Sequence, residues 1–144
     1  MEELSQKILI NNLQKKARIS LKGLKKKVGF LEGHVPLNIN EVIVSFVSDA
    51  RIKTINRKFL HKNCFTDVMS FKTGRTGDII ISADTAARQA KDFKVPFETE
   101  LLYLIIHGIL HLSGYTDGNL QDRKEMLSRQ DKILDRIMAA IKKE

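Results

Sequence analysis

The chain has 144 residues, 42% of them apolar and 29% charged, the balance of a single soluble globular domain spanning 1–144 and not of a collagen-like or disordered chain. No basic-then-apolar leader opens it, and its longest apolar run, Leu101 to Ile106 resuming at Ile109, is far too short for a bilayer, so a cytoplasmic location is expected. The one cysteine, Cys64, excludes an internal disulfide and a Cys-based zinc site, while 25 Lys plus Arg against 17 Asp plus Glu, a net charge of +8, favours a polyanionic partner, RNA or an acidic membrane surface.

In chain order, KILINNLQ (7–14) alternates Ile8 and Ile10 as a short strand does. From Ser20, an N-cap, the apolar residues Leu21, Leu24, Val28 and Leu31 share one helical face and Gly33 supplies a stop, with Lys22, Lys25 and Lys26 on the wet side. EVIVSFVSD (41–49) is β-branched and aromatic, a buried strand, after which Asp49 caps a short helix to about Leu60. TDVMSF (66–71) and DIIIS (78–82) flank TGRTG and predict a hairpin. A helix over Ala83 to Phe93, capped by Ser82 or Asp84, precedes a second that begins at Pro96 and runs through Leu112 to a stop at Gly114. A last helix starts at Asp117 or Asn119, with Leu120, Leu127, Ile133, Leu134, Ile137 and Ile141 as its apolar contacts. This order predicts an α+β fold: a small mixed sheet of about four strands covered by helices.

The helix ending at Leu112 carries the chemistry. His107 and His111 stand four apart, on one helical face, so both imidazoles can address one ion. Gly114 can end the helix in a left-handed turn that brings Asp117 back as a third ligand. Three protein ligands with a fourth position left to water is the set of a catalytic zinc, and one Zn2+ ion is expected on His107, His111 and Asp117, on the central helix and the turn after it. The spacing is that of the metzincin H-E-x-x-H-x-x-G-x-x-H, with Gly108 in place of the glutamate and Asp117 in place of the third histidine. Without that glutamate, peptide hydrolysis is disfavoured, and attack on a phosphodiester suits the basic chain better. The competing account is a core helix: Leu101, Leu102, Leu104, Ile105, Ile106 and Ile109 make it apolar on nearly every side.

The run H-G-x-L-H-L-x-G-Y from His107 to Tyr115, with Thr66-Asp67-Val68, Ser70-Phe71 and the GDI element at Gly77 to Ile79, resembles the YbeY family of metal-dependent rRNA-maturation endoribonucleases over most of the chain. The resemblance implies a zinc hydrolase of single-stranded RNA, acting on the rRNA precursor and the small ribosomal subunit in 16S 3′-end maturation and quality control, with no DNA and no membrane partner. His107 and His111 carry over as ligands. Two positions depart from the family: Asp117 stands where histidine is usual, and Leu60 where a functional arginine follows Asn56-x-x-Phe59. Arg57, His61, Lys62 and Arg75 are candidates to contact RNA in its stead, each also readable as a solvated surface residue.

Asp67 is a candidate general base and Asp78 a weaker one; both suit turn or cap roles too. Glu100, seven residues before His107, suits the helix dipole. Thr66 and Ser70 share one side of their strand and can meet substrate or backbone. A non-catalytic or weakly catalytic ribosome-assembly factor with a structural metal is the alternative that Leu60 keeps open.

Overall fold

The computed structural model describes residues 6–60 and 66–143, so His61, Lys62 and Cys64 lie outside the described residues. Its strands are β1 (Lys7–Asn12), β2 (Glu41–Val47), β3 (Val68–Thr73) and β4 (Thr76–Ser82), and its helices α1 (Leu21–Gly29), α2 (Asp49–Leu60), α3 (Ala83–Phe93), α4 (Phe97–Leu112) and α5 (Leu120–Lys142). They form the mixed sheet and helical cover that the pattern predicts, in strand order β1-β2-β4-β3.

β1 pairs parallel to β2, in register Ile8 with Val42, and β2 pairs parallel to β4, Val44 with Ile79. Only β3 runs antiparallel, because it reaches β4 through the two-residue loop Gly74–Arg75, and that places it at the sheet edge. Gly74 has φ +62, the conformation that such a tight loop requires and that glycine adopts without steric cost.

One face of the sheet, through Val42, Val44, Ile79 and Ile81, packs on Leu24 and Val28 of α1, Ile105 and Ile109 of α4 and Ile133 of α5. On the other face Val47 and Met69 meet Ile52 of α2. α4 lies between sheet and helices with nine buried residues, which is why its sequence lacks a polar side. Among the described residues no single helix is long and apolar enough to cross a membrane.

Three local expectations shift. α1 stops at Gly29, and a 3-10 turn over Glu32–His34 follows, so Gly33 sits inside that turn and does not end the helix. The tighter winding keeps Leu31 fully buried. Pro96 is the N-cap of α4 and not its first residue, held extended at φ −60 and ψ 146.

Asp49 is not a cap either. Ser48 Oγ accepts from the Arg51 N–H at 3.2 Å, while the Asp49 carboxylate reaches into the start of α3. Its Oδ1 accepts from Ser82 Oγ at 2.5 Å and Thr85 Oγ1 at 2.7 Å, and its Oδ2 from Arg88 at 2.9 Å. Asp84 returns the favour by accepting from the Asp49 N–H at 2.8 Å, and Ser82, not Asp84, caps α3. Burial raises the Asp49 pKa, but those hydrogen bonds and the Arg88 charge outweigh it and leave the carboxyl below its ordinary 3.8.

Gly108 fixes the depth of α4. A Cβ there would lie 2.7 to 2.9 Å from three side-chain carbons of Ile79, itself fully buried. Position 108 therefore faces the sheet, and a glutamate has no room in it.

Two stability measurements follow from these contacts. Asp49→Ala should lose about 2 kcal/mol in urea unfolding at pH 7, the scale of hydrogen bonds to a charged group. Because the folded carboxyl is the stronger acid, its contribution is complete above 3.8, and the gap between parent and variant should close as the pH falls through the lower folded value. Gly108→Ala should lower stability as well, since overpacking costs up to roughly 3 kcal/mol against about 1 kcal/mol of helix propensity gained; a urea midpoint raised by that gain would refute the close approach to Ile79.

Candidate metal centre

The last turn of α4 closes as a Schellman motif: the Gly114 N–H donates to the His111 carbonyl and the Tyr115 N–H to that of Leu110, each at 3.0 Å. Gly114 adopts φ +101, as the left-handed turn demands. The chain folds back over the helix end, and Asn119 caps α5 by accepting from the Asp122 N–H at 2.8 Å. The Asp122 carboxylate accepts from Thr116 and Asn119, both at 2.9 Å, tying down the segment that carries Asp117.

Both imidazoles are held from behind. The Gln130 amide N–H donates to the Tyr103 carbonyl at 3.0 Å, which turns its oxygen toward His107 Nδ1 at 3.1 Å. His111 Nδ1 faces the Tyr115 carbonyl, also at 3.1 Å. Both partners are acceptors, so each Nδ1 carries the proton and each neutral ring presents a lone pair at Nε2. Those two Nε2 atoms face one another at 3.0 Å. Asp117 Oδ2 lies 3.8 Å from the one on His111 and 4.0 Å from the one on His107.

Two lone pairs and a carboxylate so close repel unless a cation lies among them. Tetrahedral zinc with bonds of about 2.0–2.1 Å spaces its ligand atoms about 3.3 Å apart, and the three separations bracket that value. His107, His111 and Asp117 are the group among the described residues able to hold an ion. Burial, then the neighbouring His107, pushes the His111 pKa down, against the pull of Asp117 and the Tyr115 carbonyl. A neutral ring free to ligate results.

The triad opens on a cleft of about 440 Å³ walled by Asn56 and Leu60 of α2 and by Thr66 to Ser70 along the edge strand. Asp67 lines it, its carboxylate accepting from the Val68 N–H at 2.8 Å and from Gln89 at 3.3 Å. Thr66 and Ser70 line it too. Among the described residues no Lys or Arg lines it, so in a chain of net +8 the described wall offers carboxylates and imidazoles. A bound cation is what would make it receptive to phosphate.

Other candidates stand elsewhere. Arg57 faces a separate surface hollow beside Asp49 and Lys53. Arg75, at the hairpin tip, donates twice to Asn40 Oδ1 at 3.1 Å. Glu100 is buried beside an apolar pocket between α4 and α5, where burial, and then Asp67, raises its pKa. Asp78 pairs with Phe71 in the hairpin register and does not line the cleft; burial and then Glu41 push its pKa up. Gln130 and Asn56 were not anticipated. Each is a buried polar residue in an apolar stripe, Gln130 between Met126 and Ile133, and Asn56 four after Ile52, and that break in pattern is the signal.

A family model described as Endoribonuclease YbeY matches residues 2–138. Among curated proteins, an Endoribonuclease YbeY of Syntrophus aciditrophicus is 38% identical, covering 82% of this chain and 80% of that protein. Another, of Syntrophotalea carbinolica, is 37% identical over 90% and 95%. The solution structure of TM1509 from Thermotoga maritima is similar with a TM-score of 0.65 and 29% identity, covering 94% of this chain and 92% of that one.

Gln130 gives this arrangement a direct check. Gln130→Met keeps the volume but removes the acceptor behind His107, and zinc affinity, read by competition with a chromophoric chelator, should fall by roughly 10–100-fold. Unaltered affinity would mean that the amide does not orient the ring.

Proposed function

Because the chain belongs to the YbeY endoribonuclease family, we propose that it is a zinc hydrolase that cleaves single-stranded RNA in the maturation of the small-subunit 16S rRNA 3′ end and in ribosome quality control. The observation that carries this reading is the convergence of two Nε2 lone pairs and the Asp117 carboxylate on one point of the cleft. Its substrate is the rRNA precursor on the small ribosomal subunit, and its working compartment the cytoplasm.

His107, His111 and Asp117 hold the ion, which when bound supplies Lewis-acid polarisation of a phosphoryl oxygen and an acidified water. Gln130 and the Tyr115 carbonyl fix both rings as Nδ1–H tautomers, so neither swings away or spends its Nε2 on a proton. Asp67 is the carboxylate that takes a proton from the attacking hydroxyl, water or a ribose 2′-hydroxyl, since position 108 is closed by Ile79. The Ser70 hydroxyl donates to the phosphodiester, whereas that of Thr66 donates to the Val68 carbonyl at 3.4 Å. Arg57 and Arg75, outside the cleft, contact flanking phosphates, and Lys62 is a further phosphate contact, so affinity declines as salt rises.

One observation favours a second reading, a ribosome-assembly factor with a structural metal: Leu60 is half exposed and lines the cleft where the family resemblance has an arginine. Metal content and cleavage of a labelled single-stranded RNA, measured on the parent and on Asp117→Ala, separate the two. One zinc per chain in the parent, with affinity and cleavage both down at least about tenfold in the variant, supports the enzyme, since a ligand should matter no less than the groups behind it. Zinc retained by both with cleavage by neither would establish the assembly factor instead.

A further inference from the structure

Phe59, in the last turn of α2, leaves 58% of its surface in water. Its ring lies near-parallel to that of Phe71 on β3, with centroids 6.0 Å apart and planes at 20°. Phe71 is half-buried and backs it. The next residue after Phe59, Leu60, and the one before Phe71, Ser70, both line the metal cleft. The ring pair is thus carried by α2 and β3, two of the elements that wall the cleft.

A cation stands beside the pair. Lys58 Nζ sits 5.9 Å from the Phe59 centroid, exposed and with no ion pair among the described residues. An exposed π face beside a positive charge is the pairing that single-stranded nucleic acid fits: the ring takes the base and the cation takes a neighbouring phosphate. A duplex offers no such fit, because its base faces are already stacked.

We propose that Phe59, backed by Phe71, is a stacking subsite for one unpaired base of the RNA strand that enters the metal cleft. The subsite rests on the reading of the cleft as an RNA-cleaving site and adds what that reading lacks, a contact that selects unpaired nucleotides. Every base has a π face, so the subsite tolerates any sequence. It also supplies anchorage near Leu60 that the missing arginine does not.

The test is fluorescence anisotropy on the zinc-loaded protein with a labelled single-stranded oligoadenylate and an abasic oligomer of equal length, read over times too short for cleavage to intrude. Phe59→Leu keeps an apolar side chain without the ring and Phe59→Tyr keeps the ring. Phe59→Leu should weaken oligoadenylate binding about tenfold, the loss typical of one stacked base, leave the abasic oligomer unchanged, and be rescued in Phe59→Tyr. Oligoadenylate bound equally well by Phe59→Leu, or both oligomers weakened alike, would overturn the subsite and turn the exposed rings into a protein-facing surface. In that event RNA cleavage by the parent keeps the cleft reading intact, whereas a parent that neither binds nor cleaves removes both.

Discussion

Contact between Gly108 and Ile79 sets the distance at which α4 lies on the sheet, and the candidate site inherits its dimensions from that distance. With no side chain between helix and strand, His107 and His111 lie level with the outer edge of β3, and the cleft opens between them and Thr66 to Ser70. A larger residue at 108 would lift the helix and widen the gap between the ligands and the wall that faces them. The glycine also removes the position from which a zinc protease takes its base. The same packing constraint that builds the centre thereby steers it away from proteolysis.

Electrostatics divides the surface by function. The chain is strongly basic, yet the described wall of the cleft carries acids and imidazoles, while α1 carries Lys22, Lys25, Lys26 and Lys27. Distant cations can draw a polyanion in, while the cleft is matched to a metal ion. With Asp117 where the resembling family has histidine, an ion held by this triad would have one charge less to offer a phosphate, and Leu60 stands where a further positive group is usual.

Features that depend on neighbours in sequence were legible without coordinates. The i, i+4 histidines, the glycine that closes α4 as a Schellman turn and the Asn119 cap all act within a turn or two, and the structure reproduces them. Four strands and five helices also follow from periodicity. What periodicity cannot supply is partnership over distance. Gln130 reaches a histidine 23 residues away, and Asp49 bonds residues more than 30 away in α3 where a local cap was expected. The strand order β1-β2-β4-β3 depends likewise on which surfaces meet. Arg57 stands beside Asn56 of the cleft wall, yet the helix turns its side chain to a different hollow, and Arg75 at the hairpin tip pairs with Asn40.

All three candidate ligands come from a single helix end, His107 to Asp117, and from the turn that closes it. Enclosing so short a segment costs little chain entropy, and its contact order is low. The donor set can therefore gather as soon as α4 and its cap have formed, ahead of the parallel pairing that joins β1, β2 and β4 across long separations. The donor set is thus local to one stretch of chain, whereas the cleft that faces it waits on the pairing of distant strands.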